Sequence, residues 1–327
     1  MRVTAFAGGI GGSRFLLGLR AAMAADRPGA PPVTVVCNTG DDLTLHSLRI
    51  CPDLDTVMYT LGGGIDAERG WGRVDETWTA RTELAAYGVG PEWFGLGDRD
   101  LATHLVRTQM LDAGYPLSAV TAALCERWRP GVSLLPMSDD RVETHVVIDD
   151  PDDPAGGRRA IHFQQWWLRH HAELAAHEFV QVGVADARPA PGVLDSIGAA
   201  DLVVIAPSNP VVSIGTILGV RGIREALADT AAPVVALSPI VGGAPLRGMA
   251  DACLSAIGVE TSAEAVGRHY GGRGAGGVLD AWLVDTRDAA ATVPGVDVHA
   301  VPLLMTDAGA TLAMARAAIA AGLSGRR

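Results

Sequence analysis

The stretch Val3-Thr4-Ala5-Phe6-Ala7-Gly8-Gly9-Ile10-Gly11-Gly12-Ser13-Arg14-Phe15-Leu16-Leu17-Gly18-Leu19 decides the fold. A short apolar run, four glycines in five positions and then helical periodicity spell strand, turn and helix. Glycine at 8 and 9 permits backbone angles that a Cβ forbids, and it removes side chains that would hold a ligand away. Backbone N–H groups and the positive end of the following helix then face a phosphate, with Arg14 in the first turn as a charged donor. The spacing is neither the strict Gly-x-Gly-x-x-Gly nor a P-loop, since no Gly-Lys-Ser/Thr follows. The same glycines also suit a tight strand-to-helix turn that holds no ligand.

With 327 residues, 48% hydrophobic and 19% charged, the chain can bury a large core as one big α/β domain or two smaller ones. A net charge of −11 leaves no basic field for nucleic acid or an anionic membrane, so an anionic ligand must be captured locally. Cys37, Cys51, Cys125 and Cys253 form no C-x-x-C pair, which argues against structural zinc and fits a reducing compartment. No signal peptide precedes the first strand, and no apolar run reaches the ~18 residues of a membrane span. A cytoplasmic protein is expected.

Outward from the glycine run, the Pro- and Gly-rich loop 25–32 ends the first helix, and Val33-Thr34-Val35-Val36-Cys37 reads as a buried parallel strand. It runs into Asn38-Thr39-Gly40-Asp41-Asp42, placing two carboxylates at the strand's carboxyl end, where open α/β sheets bind ligands. Beside phosphates, Asp oxygens suit Mg²⁺, which takes few carboxylates together with phosphate oxygens and water. The pair also suits a turn and an N-cap. After Cys51-Pro52, a helix carries Asp53 and Asp55, adding acid to the same region, with Asp53 also suited to capping that helix. Met58 and Tyr59 are expected to line an aromatic-ligand pocket, although their helical spacing equally fits core.

Residues 71–169 are expected to form a mainly helical insertion, a lid, with Glu143–Ile148 strand-like, on a Rossmann-like, doubly wound, mainly parallel sheet built from 1–70 and 170–327. In it Asp98 and Asp100 suit a helix cap and Arg99 a phosphate or carboxylate contact, while His145 and His162 lack metal spacing and read as structural. The strand Asp201–Ala206 delivers Ser208, Asn209 and Ser213 to a second strand end with a helix behind it, where they suit either phosphate binding or capping. After the strand 233–240, Arg247 is a phosphate or base contact, or a solvated arginine.

Taken together, Gly-Gly-Ile-Gly-Gly with Arg14-Phe15, Asn38-Thr39-Gly40-Asp41-Asp42, Cys51-Pro52-Asp53-Leu54-Asp55-Thr56, Gly97-Asp98-Arg99-Asp100, Ser208-Asn209-Pro210 and Pro245-Leu246-Arg247-Gly248 resemble the 2-phospho-L-lactate transferase family of coenzyme F420 biosynthesis, including its phosphoenolpyruvyl transferases. The resemblance implies Mg²⁺-dependent transfer of an enolpyruvyl-phosphate group from enolpyruvyl-diphospho-guanosine to the ribityl hydroxyl of the deazaflavin Fo, releasing GMP, in a homodimer. It implies that Gly8, Gly9, Gly11, Gly12, Ser208, Asn209 and Ser213 hold the diphosphate. Asp41 and Asp42 would bind Mg²⁺ or remove the hydroxyl proton, with Asp55 as a third acid, and Met58, Tyr59 and the insertion would shape the Fo pocket. Transfer of 2-phospho-L-lactate is the alternative, and a non-catalytic nucleotide-sugar-binding regulator is a rival that the acid cluster disfavours. A nicotinamide dehydrogenase is disfavoured because the second strand ends in Cys37-Asn38-Thr39, without the acid that binds ribose.

Overall fold

The computed structural model describes residues 1–324. Seven strands form one sheet: β1 (Val3–Ala7), β2 (Thr34–Cys37), β3 (Ser133–Pro136), β4 (Leu202–Ile205), β5 (Val234–Leu237), β6 (Ala281–Val284) and β7 (Asp297–Ala300). Every neighbouring pair is parallel, and the spatial order is 3-2-1-4-5-6-7. This is the doubly wound arrangement with its order reversing between β1 and β4, the place where such sheets open a crevice.

The strand sequences explain why both faces are covered. Val3, Ala5 and Ala7 enter one core and Phe6 the other; Leu202 and Val204 alternate in the same way with Val203 and Ile205. Strands apolar on both faces need helices on both faces. The first face carries α1 (Gly9–Asp26), α2 (Pro52–Leu61) and the C-terminal helix Ala308–Ser324. Gly18 lets α1 lie against that last helix, because a Cβ there would overlap the Thr311 carbonyl.

The segment 71–169 carries more strand than the mainly helical expectation allows. It contains α3 (Thr79–Ala86), α4 (Asp98–Asp112) and α5 (Leu117–Trp128), but also β3, which is an edge strand of the main sheet, paired with β2. Glu143–Asp149 and Arg158–His162 join Ala176–Val182 in a three-stranded antiparallel sheet. The apolar Val146, Ile148, Ile161 and Phe179 of this sheet pack with Trp166 into the second core, an alternating burial that only strands provide. Asp98 is indeed a cap, but for a different helix: its carboxylate accepts the backbone N–H groups of Thr79 and Ala80 at the start of α3. The start of α4 is capped in turn by Glu76, which accepts from Arg99 and Asp100.

Candidate active site

The glycine turn after β1 and the loop after β4 meet at the point where the strand order reverses. Ser208 Oγ accepts the Gly8 N–H at 3.0 Å and donates to the Gly8 carbonyl at 2.8 Å. The glycines are required by this closeness: a Cβ at Gly11 would stand 2.6 Å from the Pro207 carbonyl, and one at Gly12 would overlap Ser208 Oγ. At Gly8 a Cβ would press on Asp53 and Ser213 at 2.5 and 2.9 Å. Gly9, with φ +63°, turns the chain into α1. The run thus brings two strand ends together and opens the N-terminus of α1 between them.

Asn209 is engaged in its own turn. Its Oδ1 accepts from Val211 and Val212, which is the capping behaviour of such a residue, and Nδ2 reaches Cys253 Sγ at 3.4 Å. Ser213 is buried at the start of a short helix, where its side chain accepts no capping hydrogen bond.

Arg14 and Arg247 lie at the same end of α1. Arg14 donates to the Ala67 carbonyl at 3.4 Å, and its pKa is lowered by partial burial and by the nearby Arg247 charge. Two cations that repel one another beside a helix N-terminus are suited to an anion.

Four aspartates close the other side. The turn after β2 is locked by Asn38, whose Oδ1 accepts the Gly40 N–H at 2.9 Å, and by Thr144, whose N–H meets the Gly40 carbonyl at 2.7 Å. It holds Asp41 and Asp42 buried at the strand's carboxyl end. Asp53 lies opposite, at the first turn of α2, and accepts Asn38 Nδ2 at 2.9 Å together with the Gly9 backbone N–H. It therefore serves the glycine turn rather than capping its own helix, whose start carries no side-chain cap. Burial pushes Asp53 up to about 6 against those two hydrogen bonds. Asp41 is raised well above the ordinary carboxylate range by burial first and by the Asp53 charge second. Burial also lifts Asp42 to about 6, although Arg49, 3.1 Å away, pulls it down. His162 Nε2 lies 3.2 Å from the Asp42 carbonyl, and the Gln164 N–H donates to Nδ1; with Nε2 protonated, this histidine has the structural role expected of it.

The acid cluster has a second buried layer. Asp55 pairs with Arg107 of α4, a guanidinium only 1% exposed. Burial is the largest single influence and works against its charge, but Asp55 together with Cys51 and Tyr59 raises the pKa on balance. His104 Nδ1 stands 3.1 Å from Arg107, and Asp100 accepts the Tyr59 hydroxyl at 2.6 Å and lies 3.5 Å from His104 Nε2. Sequence reading missed His104 and Arg107; with Asp100 they recur at helical spacing, which places all three on one face of α4. Met58 and Tyr59 depart from expectation: both are buried in the first core, and the Tyr59 ring packs on Trp128 with centroids 4.7 Å apart. Their position on the inward face of α2 sets that outcome.

Three carboxylate oxygens in this region, Asp41 Oδ1, Asp42 Oδ1 and Asp55 Oδ2, are buried without a hydrogen-bond partner. Leaving such a group unpaired costs about 1–3 kcal/mol, so each oxygen is set aside for a ligand or a proton. Among the described residues no group of three or more His, Cys, Asp or Glu side chains is arranged as a metal cluster. Two hard, unpartnered carboxylate oxygens beside an anion site fit Mg²⁺, which fills its shell with substrate phosphate oxygens and water. No helix is long and apolar enough to cross a membrane among the described residues.

The chain is 62% identical over 318 residues to a phosphoenolpyruvate transferase of Nocardia farcinica, spanning 97% of this chain and 94% of that one. It is 62% identical to the phosphoenolpyruvate transferase of Thermobifida fusca (98% and 97%) and 60% identical to that of Mycolicibacterium smegmatis (98% and 98%). Among solved structures, protein BH3568 from Bacillus halodurans superposes with a TM-score of 0.60 at 17% identity, covering 97% of this chain and 99% of that one, a likeness of fold. The profile described as "2-phospho-L-lactate transferase CofD" matches residues 3–300, and the chain belongs to that transferase family.

Proposed function

We propose that this chain transfers an enolpyruvyl-phosphate group from enolpyruvyl-diphospho-guanosine to the ribityl hydroxyl of Fo, with Mg²⁺, releasing GMP. The observation that carries the reading is the junction of the two strand ends: a helix N-terminus flanked by Arg14 and Arg247 on one side, and unpartnered oxygens of Asp41 and Asp42 on the other. The names of the relatives support the phosphoenolpyruvyl donor over a 2-phospho-L-lactate donor.

In the reaction, the hydroxyl oxygen attacks the phosphorus that bears the enolpyruvyl group. The bond from that phosphorus to the bridging oxygen breaks, the electron pair stays on that oxygen, and GMP leaves. The α1 N-terminus, Arg14 and Arg247 hold the diphosphate and disperse its charge. Asp41 Oδ1 and Asp42 Oδ1 divide two tasks, ligation of Mg²⁺ and receipt of the hydroxyl proton. Mg²⁺, when bound, neutralises charge on the phosphate oxygens. Asp55 has a different part: its pairing with Arg107 makes it the anchor of the acid layer. Little covalent work remains, so positioning and charge stabilisation dominate.

Mass spectrometry of the protein with Fo, Mg²⁺ and enolpyruvyl-diphospho-guanosine tests this directly. The expected products are a phosphoenolpyruvyl adduct of Fo and GMP, both lost with EDTA. An adduct formed only from the lactyl donor would replace this reading with 2-phospho-L-lactate transfer.

A further inference from the structure

One exposed indole is carried by a turn that borders the anion end of α1. Trp71 is 41% exposed. It lies in a tight turn, closed by hydrogen bonds from Gly70 N to the Asp66 carbonyl and from Asp66 N to the Gly72 carbonyl, with Ile65 bridging Arg73. The turn touches the anion site at two points. The Ala67 carbonyl accepts from Arg14, and a Cβ at Gly70 would stand 3.2 Å from Arg247 Nη1 and from Ile10 of α1.

The indole is also held still. The Arg69 guanidinium lies 5.2 Å from the ring centroids of both Trp71 and Trp78, and those two rings meet edge to face at 6.4 Å. Arg69 in turn is fixed by Asp66 at 3.0 Å and by the Arg73 carbonyl at 2.9 Å. Gly95 completes the support, since a Cβ there would meet Trp78 and Trp71 at 3.2 and 3.4 Å. Bracing a large, solvent-facing aromatic on a turn that itself touches Arg14 and Arg247 leaves apolar area uncovered, and a flat ring joined to a charged group is a ligand suited to cover it.

We infer that Trp71, braced by Arg69 and Trp78, is a stacking platform for the planar heteroaromatic ring of a substrate whose reacting end lies at Arg14 and Arg247. This rests on the proposed reaction, in which both substrates carry such a ring, guanine on the donor and the deazaflavin on the acceptor. Stacking on an aromatic side chain tolerates either, because every such ring presents a π-face.

Titration calorimetry of the full chain with GDP and, separately, with Fo tests the platform without requiring turnover. Trp71→Ala is expected to weaken one of the two by about tenfold or more, and Trp71→Phe to recover most of the loss. Loss confined to GDP assigns the guanine, and loss confined to Fo assigns the deazaflavin; either outcome supports the platform. Unchanged binding of both ligands in Trp71→Ala overturns it, and so does a loss that Trp71→Phe fails to recover while its circular dichroism matches the parent. Failure of the unsubstituted protein to bind either compound would instead contradict the proposed function, so the two failures are distinct.

Discussion

Replacing Arg107 by methionine costs the fold about 3–5 kcal/mol in urea denaturation, the usual loss when one partner of a buried ion pair is removed. The reason lies in Asp55. Its carboxylate is buried on α2, one oxygen faces Arg107 and the other has no hydrogen-bond partner. Without the guanidinium that carboxylate keeps only His104 Nδ1, 3.8 Å from its second oxygen, and is left poorly compensated in the interior. Arg107→Met combined with Asp55→Leu removes both charges and restores most of the loss, because two apolar side chains of similar shape fill the space without a stranded charge. A single substitution costing under about 1 kcal/mol would show that water reaches the pair and that the second acid layer is not sealed.

The largest effect on activity falls on Asp41. Asp41→Asn lowers kcat by about 10²–10³-fold, the scale on which one preorganised electrostatic contact to a developing charge is lost. Its stability behaves oppositely. Burial and Asp53 raise the Asp41 pKa above its unfolded value, so the fold holds its proton more tightly than the unfolded chain does. The resulting stability is fully present below the unfolded pKa and is lost as pH rises through the folded one. Asparagine does not ionise, so the variant is as stable as the parent or more stable at pH 8, as melting temperatures at pH 5 and pH 8 will show. Near-normal turnover in a folded Asp41→Asn protein would remove this carboxylate from both the metal and the proton role.

Much of the architecture was legible because its causes are local. β1, β2, β4, β5 and β6 are runs rich in apolar residues bounded by turn residues, and such runs in a doubly wound sheet are covered on both faces. The strand end at Asn38 to Asp42 and the one at Pro207 to Ser213 could be placed from sequence for the same reason. β3 was missed: Ser133–Pro136 is four residues long and follows a helix and a Pro-Gly turn, so only its pairing with β2 identifies it. Of the antiparallel sheet at 143–182 only the central strand, Glu143–Ile148, was legible; the histidines and charges of its two partners dilute their apolar alternation.

At the site, side-chain type and position along the chain located Asp41, Asp42 and the glycines, but not their partners. Asp53 could be read as acid in that region or as a cap of its own helix, but not as a partner of Asn38 and Gly9, because those contacts join three separate elements. Arg107 went unread, because its partner Asp55 lies on another helix more than fifty residues away and only the packing of α4 on α2 joins them. For Met58 and Tyr59 helical spacing allowed both pocket and core, and packing on α2 chose core.

The central claim is that one junction, between the β1 and β4 loops and the acids after β2, binds both the diphosphate and the metal. A crystal structure of the protein with GDP and Mn²⁺ as an anomalous stand-in for Mg²⁺ measures both positions at once. The account predicts the diphosphate at the α1 N-terminus between Arg14 and Arg247, with the Mn²⁺ peak on Asp41 or Asp42 and a phosphate oxygen. A diphosphate bound elsewhere, or a metal peak away from both aspartates, would contradict it.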